Sequence, residues 1–267
     1  MLQHLRGIVL KTIKTGETTL LVHIYTDLFG MRTYSVAGAR SAKHNKAALL
    51  QPLYLLNLVV YHRENRDINH LKEMQLAINY TELPFSMHKM AIAMFITEVL
   101  HKTLKGEHPN LELFDWLSQY LTWLDTTTTP VGHVPVSFLL QLSRFLGILP
   151  LNNYPHNFDS SNDLDNANNQ PQIAWLFHLN EGFFVKQPAN SHGSKLLDSA
   201  LLPHTESHYL AAWMQAIDNP TQINIPNTPA QIRKNLLYAL LRYYRLHIEN
   251  FGELRSVAVL ASLFNDV

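Results

Sequence analysis

Arg40, Lys43 and Lys46 recur every three residues in the stretch SVAGARSAKHNKAALLQP, which runs from Ser35 to Pro52 and holds no acid. Three like charges held this close repel one another, and an anion relieves the repulsion. More cations flank the stretch: Lys11 and Lys14 lead into an early turn, Arg32 lies just upstream, and Arg63 and Arg66 sit in the polar run RENRD. Tyr25, Tyr34, Tyr54 and Tyr61 are interleaved among them. Cations that track phosphates, with rings between them on which bases stack, are the two ingredients of a single-strand nucleic-acid groove. The chemistry expected of these eight cations is therefore phosphate contact. The plainer alternative is a solvated polar surface.

Covalent chemistry finds no support. No two of the ten glycines lie within four residues of each other, which excludes a dinucleotide fingerprint, a phosphate-binding P-loop and a GxSxG elbow. HTESH places His204 and His208 four apart, but Thr205 stands where a zinc protease needs glutamate, so the pair reads as two packed or solvated histidines. DSSNDLD lacks the glycine and closing glutamate of a calcium loop. The chain has no cysteine, so disulfides and thiolate metal sites are out. No catalytic residue, metal or cofactor is expected; the chain reads as a binding protein.

Two kinds of element must position these residues. Up to Tyr80 the chain reads as strands: GIVLKTI, TLLVHIYT, MRTYSVA, LYLLNLVVYH and INHLKEMQL. KTGET and DLFG separate the first three, and SAKHNKAALLQ between the third and fourth predicts a short helix capped by Ser41 and stopped by Pro52. Three strands, a short helix and two strands make the pattern of the partly open Greek-key barrel called the OB-fold. From Pro84 the apolar spacing changes to three and four. FSMHKMAIAMFITEVLHKTL, LELFDWLSQYLTWLD and VPVSFLLQLSRFLGIL predict three helices. A polar Asn/Asp-rich loop then precedes IAWLFHLNEGFFVKQ, a hairpin turning at NEG; the two occupy about 150–190. ESHYLAAWMQAI resumes the helices, and NTPAQIRKNLLYALLRYYRLHIENFG predicts a long one with Thr228 as cap, Pro229 first and Gly252 at its end. ELRSVAVLASLF closes the chain. The expected class is α+β and multidomain, with an OB-fold over 1–80 and a mainly α-helical domain over 81–267 carrying the small β-hairpin insertion.

The overall charge conceals this division. The 267 residues carry 21 basic and 21 acidic side chains, yet ten basic and only five acidic ones fall before residue 81. A basic module joined to an acidic one implies separate partners. No apolar run is long enough to cross a bilayer of about 30 Å, and the charged N-terminus does not resemble a secretory signal, so a cytoplasmic setting is expected.

GIVLKTIKTGETTLLVHIYTDLFGMRTYSVAGARSAKHNKAALLQPLYLLNL resembles the N-terminal domain of the RecO family of DNA repair proteins. The resemblance rests on Gly7 to Leu10, Gly16–Glu17, Thr26 and Gly30, Gly38-Ala39-Arg40, and Leu50-Gln51-Pro52. FLLQLSRFLGILP and YYRLHIENFGELRSVAVL, with Arg255–Ser256, resemble the family's middle and last helices. The resemblance implies an OB-fold followed by a helical domain. It also implies a recombination mediator of the RecF pathway that binds single- and double-stranded DNA and anneals complementary strands. Such a protein partners RecR, docks on the acidic C-terminal tail of single-stranded DNA-binding protein, and so assists RecA. Two departures stand out. The Asn/Asp-rich loop replaces the four-cysteine zinc module of many relatives, and Ala37 stands where relatives often have lysine.

An acidic, apolar tail needs a cation beside a hydrophobic groove. Arg144, next to Phe145 and Leu146, is the candidate. Lys234, Tyr238, Arg242 and Arg245 form a stripe on the long helix that could extend a DNA path or bind an acidic peptide. Two other readings stay open: a protein-interaction scaffold with a merely solvated basic face, and an OB-fold RNA binder.

Overall fold

The computed structural model describes residues 1–41, 46–63, 66–104, 106, 108–155, 173–188, 199–217 and 225–264. Five strands form first: β1 (Leu2–Thr15), β2 (Thr19–Thr26), β3 (Gly30–Val36), β4 (Leu55–Tyr61) and β5 (Ile68–Leu76). They close into a barrel in the order β1-β2-β3-β5-β4. Every pairing is antiparallel except β3 with β5, which run parallel. This is the OB-fold, as the strand pattern and the resemblance led us to expect. Alternation along the strands fills the interior with Leu20, Val22 and Ile24 from β2, Tyr34 and Val36 from β3, and Leu56, Leu58 and Val60 from β4. The interior has no room for a side chain at Gly7, where a Cβ would lie 2.5 Å from Ile24 Cγ2 and 2.8 Å from Leu58 Cδ1. Between β3 and β4 the described residues hold only a 3-10 turn, Lys46–Leu49, where the sequence predicted a short helix from Ser41.

α1 (Met87–Thr103) and α2 (Leu111–Thr126) follow, close to the predicted segments. Their starts are capped by Ser86 and Asn110, whose side-chain oxygens accept from Lys89 N and Leu113 N. These two helices cover part of the barrel's outside. Tyr25 faces outward on β2 yet is fully buried, because its ring lies 6.2 Å from that of Phe114 on α2. Arg6 of β1 donates to Asp27 at 3.1 Å and to Asp115 of α2 at 2.9 Å, with its guanidinium over Phe114. The His23 ring on β2 meets His101 of α1 edge-on at 5.3 Å.

The chain divides into two compact units, Met1–Val131 with Glu253–Asp266, and Gly132–Gly252. The return of the C-terminus to the first unit could not be read from periodicity. One carboxylate anchors it alongside the packing of α6 (Ser256–Phe264) on α1: Glu98 of α1 accepts from the backbone N–H groups of Arg255 and Ser256 and from Ser256 Oγ. Those groups open α6. Burial works against the Glu98 charge, but these hydrogen bonds prevail and hold its pKa below the usual carboxylate range.

The second unit contains α3 (Val134–Phe145), the hairpin β6 (Ile173–His178) and β7 (Phe183–Pro188), α4 (His204–Ile217) and α5 (Ala230–His247). Tyr244 on α5 donates to Leu139 O at 2.6 Å and Tyr243 to Ile148 O at 2.9 Å, fixing α5 against α3 and the turn after it. Thr228 does not cap α5. Its hydroxyl accepts from Trp213 Nε1 and donates to Pro226 O, and Pro229 occupies the cap position without a side-chain hydrogen bond. α5 also stops at His247, five residues before Gly252, because Ile248 is extended and Asn250 takes a φ of 57°. The Asn/Asp-rich loop lies outside the described residues from 156 to 172.

The exit from the barrel is tied by Asp125, near the end of α2. Its carboxylate accepts from the N–H groups of Thr81, Glu82 and Leu83 at 2.7–3.1 Å and from Thr81 Oγ1. Buried Lys89 reaches back from α1 to the carbonyls of Asp125 at 2.6 Å and Thr127 at 2.9 Å. Burial alone would raise the Asp125 pKa, but the backbone N–H groups lower it below its ordinary value. Asp125→Ala orphans the buried Leu83 N–H and the partly buried donors of Thr81 and Glu82, and is expected to lower the urea unfolding free energy by about 2–3 kcal/mol. Because the folded pKa is depressed, the carboxylate's contribution is complete above the usual range of about 4 and is lost as pH falls through the folded value. Asp125→Asn should therefore flatten the acid limb of stability against pH; an unchanged limb would remove Asp125 from this role.

Candidate nucleic-acid interface

The barrel separates the cations that the sequence places close together. At one end lie the β1–β2 turn and the segment leaving β3, which carry Lys14, Arg40 and Lys46. Arg40 N donates to Thr18 O at 3.2 Å and Ala47 N to Ala39 O at 3.0 Å, so this segment is stitched to the β1–β2 turn. Lys43 lies outside the described residues. At the other end lie the N-terminus and the β4–β5 turn, with Arg63 and Arg66. A strand of seven residues such as β4 spans about 20 Å, which sets the distance between the two poles.

Hydrogen bonds tie Arg63 and Arg66 at the second pole. Asn69, 1% exposed, accepts from Arg63 N at 2.8 Å and donates to Arg66 O at 3.3 Å, while Arg66 N bonds to Arg63 O. The N-terminal ammonium donates to His62 O at 2.9 Å, and the His62 ring stacks on Phe29 at 3.7 Å. Arg32 pairs in register with inward-facing Ile24 and donates to Met31 O, placing it on the interior side of β3. Lys11 pairs with His23 on the outer face, exposed. Lys11 and Arg32 thus belong to neither pole's surface cluster.

The tyrosines also divide. Tyr25 and Tyr34 are fully buried and cannot stack a base, which corrects the sequence expectation. Burial pushes the Tyr34 hydroxyl up to about 12, with Arg32 opposing and Asp27 reinforcing. Tyr54 packs edge-on against Tyr80 at 6.0 Å. Tyr61 alone of the four stays open, at 49% exposure.

An open groove of about 790 Å³ is lined mainly from β1, β4 and β5, with Val36 of β3 and Lys46 and Leu49 of the 3-10 turn at its edge. His4, Arg6, Lys46, Asn57, Lys72 and Gln75 line it. Of these only Lys46 stood out in the sequence. The others could have been found from strand parity, since each precedes or follows an inward apolar residue; no run of like residues marks them. Its acids are engaged: Asp27 with Arg6, and Glu73 with Lys72 at 3.1 Å.

In the second unit, Arg144 is exposed in the last turn of α3. Arg242 donates to Ser199 O and Oγ, while Tyr238 and Arg245 face solvent and Lys234 is half-buried. Leu236, Leu240 and Tyr243 line the buried side of α5. His208 lies beside Tyr154 and Tyr209. Among the described residues no group of three or more His, Asp or Glu side chains is arranged to hold a metal ion, and no helix is long and apolar enough to cross a membrane.

Known proteins share this organisation. The family described as "Recombination protein O N terminal" matches residues 1–80, and "Recombination protein O C terminal" matches residues 84–256. The DNA repair protein RecO of Bacteroides fragilis is 30% identical over 99% of this chain and 100% of its own length. RecO of Christiangramia forsetii is 30% identical, and RecO of Phocaeicola vulgatus 29%, with the same coverage. With both family halves matched in order around an OB-fold barrel and its helices, the chain belongs to the RecO family.

Proposed function

We propose that the protein is a recombination mediator in DNA repair that works without covalent chemistry. Residues 1–80 act as its nucleic-acid-binding domain and 81–267 as its partner-binding domain. Family membership supports the repair role. The observation that supports the DNA contact is the placing of cations at two ends of the barrel: Lys14, Arg40 and Lys46 towards one, Arg63 and Arg66 at the other, with Lys11 and Arg32 adding to the barrel's positive field and Lys43 joining the proposed contacts from the sequence. Annealing requires two polyanions to approach. Cations spread over two sites let one surface screen two stretches of backbone, and neither contact reads sequence.

In this reading the protein acts in the cytoplasm on single- and double-stranded DNA with RecR, and assists RecA through single-stranded DNA-binding protein. Arg144 is the candidate clamp for that protein's acidic tail; Lys234, Arg242 and Arg245 form a second cationic surface for DNA or an acidic peptide. Charge reversal by Arg144→Glu should weaken tail-peptide binding in calorimetry; unchanged affinity would place the pocket elsewhere.

The direct test is fluorescence anisotropy of a labelled oligothymidine across a salt series. If about five phosphates are neutralised, log affinity should fall with log salt at a slope near −3.5. The Arg40/Lys43/Lys46→Ala variant should bind more weakly, with a slope shallower by about 2, and should anneal complementary strands more slowly. A wild-type protein that binds no oligonucleotide even at low salt would overturn the reading in favour of a protein-interaction scaffold. Preference for structured RNA would favour an RNA binder.

A further inference from the structure

We propose that a single nucleic-acid strand lies along the groove on the outer face of β1, β4 and β5, with one base stacked on Tyr61. This rests on the nucleic-acid reading above and names the face and the ring that carry it. In this fold the face of strands 2 and 3 usually serves; here α1 and α2 occupy the region of β2 around Tyr25 and His23. The outer surface of β1, β4 and β5 is ordered in three register rows: Leu2–Tyr61–His70, His4–Val59–Glu73 and Arg6–Asn57–Gln75.

Charge indicates what fills the groove. Lys46 is part of the lining, Tyr61 lies one register row beyond the lining residues His4 and Val59, and Arg63 and Arg66 follow Tyr61 in the β4–β5 turn. A strand bound in the groove and on Tyr61 therefore has cations within reach in both directions. The span of about 20 Å suits about four nucleotides, the low end of the range for one such barrel. The ring favours a single strand over a duplex. Leu2 at 42%, Tyr61 at 49% and Ile68 at 44% exposure form an apolar ledge, and a flat aromatic ring there needs a π-face, which bases show only when unpaired. Asn57, Gln75 and His4 along the groove can each donate and accept hydrogen bonds, so they can meet base edges without choosing one base. The run RENRD carries Glu64 and Asp67 beside the two arginines, so its side-chain charges sum to zero and the ring's share of affinity should exceed what net charge at this end supplies.

The experiment compares the full-length wild-type chain with Tyr61→Ala and Tyr61→Phe, using labelled oligothymidine and an abasic strand of equal length. Tyr61→Ala should weaken oligothymidine binding about tenfold, by the same factor at low and high salt, because stacking releases no counterions. Tyr61→Phe should bind within about twofold of wild type, and the abasic strand should not distinguish the three proteins. As a readout without mutation, 2-aminopurine within the strand should be quenched when wild type binds. Unchanged oligothymidine affinity in Tyr61→Ala overturns the proposal, as does an equal loss on the abasic strand or an unquenched 2-aminopurine in the wild-type complex. If Tyr61→Ala misfolds, the quenching experiment and Tyr61→Phe decide. Oligothymidine binding lost on mutating Arg40, Lys43 and Lys46 but indifferent to Tyr61 would sink this inference alone; absence of any wild-type binding would sink the broader reading with it.

Discussion

Asp125 is the constraint on which the first compact unit depends. A chain leaving a barrel strand has to turn before it can enter a helix, and the turn leaves backbone N–H groups without partners. Here one carboxylate takes three of them, at Thr81, Glu82 and Leu83, and buried Lys89 bonds to carbonyls at the end of the same helix. Ionised acceptors make stronger hydrogen bonds than neutral ones, and a buried charge is tolerated only when its bonding capacity is used. Both conditions are met, so α1 and α2 leave the barrel in a defined direction.

That direction decides which part of the barrel meets solvent. Outward-facing Tyr25 becomes core once Phe114 lies against it, and Arg6 is drawn between Asp27 and Asp115. The face of β1, β4 and β5 escapes this covering, and its polar residues remain open between the two cationic poles. Glu98 repeats the device at the other end of the chain, where a carboxylate on α1 receives the first N–H groups of α6. Carboxylates at helix starts and turns thus do most of the polar work of holding the first unit, and its apolar packing follows from where they set the helices.

The sequence made the barrel legible because its strands alternate and its turns carry glycine: each of the five strands overlaps a quoted run, although β1 extends beyond GIVLKTI at both ends, and Gly16 takes the positive φ its turn needs. The main helices were legible from their three- and four-residue spacing. Caps were less so. Thr228 has the residue type of a cap, but Trp213 and Pro226 engage its hydroxyl. Residue type states what a group can bond to; only packing decides which partner arrives first.

The candidate interface shows the same division more sharply. Charge excess, the spacing of Arg40, Lys43 and Lys46, and the interleaved tyrosines are properties of the chain, and by themselves they determined that the barrel half of this protein is basic. Sequence distance does not measure distance around a closed sheet. Lys46 and Arg63 are separated by one strand in the chain and by about the length of that strand in space. Nor does strand periodicity tell which outward residues a later helix will cover. Tyr25 and Tyr61 are alike in type and in facing outward from their strands, and one is core while the other is half-exposed. Tertiary structure alone decided that difference, because burial depends on what packs against a face and not on the residue that forms it.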